Sequence, residues 1–268
     1  MIHYDKQNKT LEKLKRERSD AVVALKHAEE ERSRLYSILD GIMHETRRLN
    51  SEVASACEDV SKHIANNNYV QAALDADDAF YSSGLISSRL TFADYEVNPE
   101  AITRQAKYSS GVYKKFDKAR RILSRSAKRK HVAINIHGPS RNEIDVFPAF
   151  EMVPFVLLDN AIKYSPEHQE VSIDVEDNPV AGVRVEAAVT SIGPRVPASE
   201  LSDIVKRGIR GSGASKSKIP GEGIGLYLAD TLTRLANGRM ELSSSQDGLF
   251  VLNGVEYSTF VARLIFRQ

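Results

Sequence analysis

From Leu11 to Ile42 the apolar positions recur at steps of three and four: Leu11, Leu14, Ala21, Leu25, Ala28, Leu35, Leu39 and Ile42, with Arg18 and Arg32 on the same seam. Glu, Lys and Arg fill the other faces. A sustained seven-residue apolar repeat marks a helix that pairs with another along its length, so this stretch predicts a parallel coiled coil between two copies. A single amphipathic helix laid on a different partner is the plainer alternative. The two arginines weaken the seam, and a dimer needs further apolar contact beyond it. The register continues through Leu49, Val53, Ala56 and Val60, predicting unbroken helix to about Ala65. Asn66, Asn67 and Asn68 signal a turn. A second helix follows, with Leu74, Tyr81, Leu85, Phe92 and Tyr95 at heptad-type steps, and Asn98-Pro99 ends it. Two helices joined by a short turn form a hairpin, and two hairpins pair into a four-helix bundle.

Beyond Pro99 the pattern changes. Val112, Phe116, Ala119, Leu123 and Ala127 form an apolar helical stripe, and Lys and Arg crowd the opposite side, which reads as a solvated face, with an acidic partner surface as the alternative. Val132 to Ile136, Val171 to Glu176 and Val183 to Val189 alternate like strands, and Arg239 to Ser243 and Thr259 to Phe266 add two more. Pro148 to Tyr164 has helical periodicity, and Pro166 stops it. Strands alternating with helices and ending in a hairpin-like pair predict a two-layer α/β sandwich. The chain thus divides into a coiled-coil helix (1–40), a helical hairpin (41–98) and an α/β domain (99–268). Within the last, Ser212 to Pro220 is small, polar and glycine-bearing, and reads as a mobile lid.

Composition narrows the function classes. The net charge is +1 over 268 residues, which gives no general attraction to nucleic acid or to a membrane surface. The single cysteine, Cys57, excludes an intramolecular disulfide and fits a reducing compartment. No run is long and apolar enough to span a bilayer, and the N-terminus does not read as a signal peptide, so a cytoplasmic location is expected.

Three stretches carry candidate chemistry. Gly221, Gly223 and Gly225 alternate just before a run that turns helical. Glycines there let the backbone approach a ligand, and the following helix points free N–H groups and its positive dipole end at it, which suits phosphate. Tight packing is the bland alternative. Upstream, Asn160, Lys163 and Tyr164 share one helix face. An amide, an ammonium and an aromatic ring together suit a metal ion, phosphate and a nucleotide ring or sugar, though core helices with a polar edge are common. Third, His44 falls at heptad position f if Ile42 is d, so it faces solvent with Glu45 beside it. An exposed imidazole with an acidic neighbour can act as a nucleophile toward phosphorus. An ordinary surface histidine is the alternative. His63 falls on a d position and reads as packed, and the remaining histidines have no metal-ligand spacing.

Taken in order, these stretches resemble the ATP-binding domain of sensor histidine kinases, a fold shared with gyrase-type and heat-shock ATPases. Asn160 to Tyr164 looks like the N box. Gly193-Pro194, within Ser191 to Pro197, looks like a G1 box. Ile204 to Gly211, with Arg210, is similar to the F box, and Gly221 to Leu226 looks like the G2 box. The helical hairpin resembles the family's dimerisation and phosphotransfer domain.

The resemblance implies ATP and Mg2+ as cofactors. Asn160 would ligate the metal, Lys163 would approach the phosphates, and Tyr164, Ser191, Gly193 and Leu226 would line the nucleotide site. Arg210 would hold the lid or meet phosphate, and Gly221, Gly223 and Gly225 would present backbone N–H groups. His44 would accept the phosphoryl group with Glu45 assisting, in a homodimer whose partner is a response-regulator receiver domain. Four positions depart from the family pattern. Ser191 stands for an adenine-reading Asp, Arg195 for a glycine, Val156 for a first Asn, and Arg48 for a Thr or Asn tied to dephosphorylation. Two alternatives to an active kinase follow: a degenerate kinase kept as a dimeric signal-relay module, and a nucleotide-binding protein without phosphotransfer.

Overall fold

The structure is a computed structural model that describes residues 2–138, 140–178, 182–219, 221 and 223–267. The side chains of His44, Glu45, Arg48, Leu85 and Phe92, and of some other helix residues, lie outside the described residues. The chain divides into two compact units, Met1–Arg48 and Leu49–Gln268.

The heptad pattern forms helix as expected. α1 runs unbroken from Ile2 to Ala65, and the described residues of the first unit all belong to it. α2 (Tyr69–Val97) begins after the asparagine turn, with the Asn68 side chain accepting from the Gln71 N–H as N-cap. Asn67 at φ 57 makes the left-handed bend between the helices. A short α3 (Pro99–Thr103) follows at once.

The α/β part is a two-layer sandwich. β1 (Tyr108–Gly111) pairs antiparallel with β3 (Glu143–Val146) in a small separate sheet. The main sheet runs in the order β2 (Ala133–His137), β4 (Glu170–Asn178), β5 (Val183–Pro194), β8 (Val255–Arg267), β6 (Gly238–Ser244), with β7 (Phe250–Leu252) also on β8. β2 and β4 are parallel, and the other pairs are antiparallel. Three helices cover one face: α4 (Val112–Arg129), α5 (Met152–Tyr164) and α7 (Gly225–Leu235). The stripe Val112, Phe116, Ala119, Leu123 and Ala127 is buried, as its periodicity predicts. Burial along β5 alternates, with Val185, Ala187 and Val189 inward.

The basic side of α4 is in part the expected solvated face, with Lys114, Arg121 and Lys128 exposed, and in part engaged. Arg125 reaches Asp75 and Asp78 of α2 at 3.1 and 3.2 Å, and Arg129 reaches Asp78 at 3.3 Å. Lys115 and Lys118 both pair with Glu151 at 2.6 Å. Burial alone would raise the Glu151 carboxyl, but its bonds to the two lysines hold it below its usual value. Part of the charge run thus docks α2 and the turn that leads into α5.

Candidate nucleotide site

The cavity lies between the sheet and the two helices the sequence singled out. It is lined by α5 through Val156, Asn160, Lys163 and Tyr164, by β5 through Val189, Ser191 and Gly193, and by β8 through Phe260 and Ala262. Arg210, Gly221, Gly223, Gly225, Leu226 and Leu228 close it from the lid and α7. Every proposed cofactor-binding residue therefore lines one cavity.

Glycine is required where the chain turns into α7. Gly223 has φ +71, and a Cβ there would stand 2.6 Å from the Ile209 carbonyl oxygen. Its own carbonyl accepts from Gly208 N–H at 3.0 Å, which ties the turn to the segment before the lid. A Cβ on Gly225 would stand 2.9 Å from Asn160 Nδ2 and 3.0 Å from Val156 Cγ1. A Cβ on Gly221 would stand 3.1 Å from Lys163 Nζ and 3.4 Å from Tyr164 Oη. The glycine turn therefore lies directly over the polar face of α5. Lys130 from α4 donates to the carbonyls of Ile162 and Lys163 at 2.8 and 2.6 Å, fixing the C-terminal end of that helix. Burial lowers the Lys130 ammonium's pKa.

The lid segment is shaped rather than free. Ser212–Lys216 forms a short α6, and the Arg210 guanidinium donates to the carbonyls of Ala214 and Ile219 at 3.0 and 2.6 Å. Glu200 accepts from the Ser212 N–H at 2.8 Å. These bonds tie Arg210 to the segment that follows it. Arg195 does not line the cavity: its Nε donates to Glu256 at 2.6 Å. The departure from glycine in the G1 box therefore leaves the cavity open.

Some lining residues escaped the sequence reading. Phe260 and Ala262 lie in register with Ser191 and Val189 on the neighbouring strand. Their alternation along β8 was the available signal, but strand pairing is needed to place them. Tyr81 was read as part of a helix-pairing stripe. Instead, its hydroxyl donates to Asp159 at 3.1 Å, and its ring lies 6.1 Å from that of Phe155. Burial first, and the Asp159 carboxylate second, push the Tyr81 phenol above its ordinary value. The placement of the His44 and Glu45 side chains lies outside the described residues.

Three helices thus cover one face of a mixed sheet, with a cavity between α5 and α7 that glycines border. The family model described as "Histidine kinase-, DNA gyrase B-, and HSP90-like ATPase" matches residues 149–266. The histidine protein kinase SaeS of Staphylococcus aureus (strain USA300) is 29% identical over 110 residues, which is 40% of this chain and 31% of that protein. The sensor protein KdpD of Escherichia coli (strain K12) is 30% identical over 101 residues, 38% of this chain and 11% of that protein. The chain thus spans about a third or less of the length of these relatives. Among solved structures, the Acinetobacter baumannii histidine kinase AdeS aligns at TM-score 0.47 and 15% identity, covering 84% of this chain and 98% of that one. With its helical N-terminal region, the chain has the build of a sensor histidine kinase catalytic core.

Proposed function

We propose that this chain is the kinase core of a two-component sensor: it binds ATP with Mg2+ between α5 and α7, phosphorylates His44, and passes the phosphoryl group to a response-regulator aspartate. The observation that carries this is the glycine turn lying on the polar face of α5, with Asn160 and Lys163 within contact distance of the space the missing Cβ atoms leave. That cradle fits a triphosphate. Backbone N–H groups at the start of α7 and its dipole favour anionic oxygens. Lys163 supplies a compact positive charge, and the Asn160 amide oxygen is a hard donor of the kind Mg2+ takes alongside phosphate oxygens. When bound, Mg2+ neutralises charge on the transferring phosphoryl group. The residues of the cavity contribute positioning, which is the main task in such a transfer. The transfer breaks the bond between the β and γ phosphates, forms an N–P bond on the His44 imidazole and releases ADP. Glu45 takes the proton of the other ring nitrogen.

The proposed homodimer is supported by α1 itself. Leu14, Leu25 and Leu39 are 56%, 61% and 39% exposed along the heptad seam, and an apolar seam of that length favours a partner helix. Val156 and Ser191, where Asn and Asp are usual, favour the alternative of a weakly binding relay module. Labelling separates the two. Under the kinase reading, the chain runs at twice its mass in light scattering and takes up label from radiolabelled ATP in an acid-labile, base-stable form. The His44→Gln variant takes up none but still binds nucleotide. Nucleotide binding without label in the unmodified chain selects a nucleotide-binding protein without phosphotransfer, absence of both selects the relay module, and label persisting in His44→Gln moves the acceptor elsewhere.

A further inference from the structure

We propose that α2 sets the affinity of the nucleotide site from outside, with Tyr95 as the positioning residue that orders the first turn of α7 through Tyr227. The proposal rests on the nucleotide reading above and adds a regulating element to that site.

The need for such a residue lies in α7 itself. Its first turn comes with Gly221, Gly223 and Gly225, and glycine loses more freedom on ordering than any other residue. Among the described residues no side chain caps the helix: Ile224 stands at the N-cap and makes no side-chain capping bond. Yet the proposed phosphate end uses the N–H groups of this turn, which converge on an anion only while the turn is ordered. On the lid side, the Gly223 carbonyl accepts from Gly208 N–H at 3.0 Å. On the outer side, the ring of Tyr227, the third residue of α7, lies 6.2 Å from that of Tyr95 and is tilted by 58°. That geometry is within the range of favourable aromatic pairs.

The same helix also grips the other wall of the cavity. About 21 Å back along α2, at the helical rise of roughly 1.5 Å per residue, Tyr81 meets α5. Its hydroxyl donates to Asp159 at 3.1 Å, and its ring lies 6.1 Å from that of Phe155. A Cβ on Gly84 would stand 3.5 Å from Phe155 Cε2, so the two helices approach closely there. Phe155 and Asp159 of α5 line the cavity, as do Gly225 and Leu226 of α7. α2 is therefore a single helix in contact with both helices that bound the proposed phosphate end. A shift of α2 along or about its axis changes the Tyr95–Tyr227 contact, and with it the order of the turn. By linkage, nucleotide held at the turn keeps α2 in place to the same extent.

Calorimetric titration of Mg2+-ATP into the full-length chain and its variants tests this. Tyr95→Ala should weaken binding by about fivefold, the equilibrium scale of one aromatic pair. Tyr95→Phe keeps the ring and should stay within about twofold of the unmodified chain. Tyr227→Ala should weaken binding too, and the double variant should bind no worse than the weaker single one, because both changes remove one contact. A role in folding alone lowers the unfolding midpoint and leaves the affinity of the folded chain unchanged. If Tyr95→Ala does not fold, Tyr95→Leu, which keeps apolar bulk without the ring, reads the loss in its place. Unchanged affinity in the folded variant overturns the proposal. So do additive losses in the double variant, or a loss in Tyr95→Phe as large as that in Tyr95→Ala. Absence of binding by the unmodified chain removes the nucleotide reading, and this inference with it; each of the other contrary results removes this inference alone.

Discussion

Gly225 is where one atom decides the site. It is the first residue of α7, and a Cβ there would fall 2.9 Å from the Asn160 amide nitrogen. The helix itself tolerates alanine better than glycine, so Gly225→Ala should leave the fold intact. The added methyl instead presses on Asn160 and Val156 and displaces the proposed metal ligand. Affinity for Mg2+-ATP should fall by about tenfold or more, the cost of a little over 1.4 kcal/mol of misplacement. Unchanged affinity in a folded variant would show that Asn160 is not part of the phosphate end. At this scale the sequence was legible because spacing fixes helix faces: Asn160, Lys163 and Tyr164 at steps of three and four must lie together. Ser191 lines the cavity, and in the sequence only the resemblance, not spacing, pointed to it. Arg195 could not be placed, because its partner Glu256 lies 61 residues away on another strand.

Among the elements, the long periodic ones were readable and the short ones were not. α1, α2 and the stripe of α4 follow from repeats that extend over several turns. β1 and β3 have four residues each and β7 has three, too few for a period of two to show. The use of α2 was also hidden. Its Asp75, Asp78 and Tyr81 meet Arg125, Arg129 and Asp159, and no repeat announces contacts across so large a sequence separation. The Tyr81–Asp159 bond links α2 to the helix that carries Asn160. Tyr81→Phe keeps the ring beside Phe155 and removes the donor, so denaturant unfolding should show a loss of about 1.5 kcal/mol at neutral pH. The Tyr81 phenol is raised above its ordinary 10.0, so this contribution is fully present below pH 10 and is lost as pH rises through the raised value. Equal stability of the two proteins at neutral pH would remove the bond from the account.

At the scale of the whole molecule, His44 lies on α1, and the second compact unit holds the end of α1, the α2 helix and the α/β domain. The sequence distinguished helical from α/β regions because the apolar period changes after Pro99. It did not show that α2 packs on α4, because charge pairing between elements leaves no period. The function assigned to the molecule depends first on whether the cavity between α5 and α7 takes Mg2+-ATP. Isothermal calorimetry on the full-length chain measures this directly. One nucleotide bound per chain, with affinity that falls when Mg2+ is chelated, is the predicted result; no heat of binding from the folded chain at millimolar ATP would contradict it.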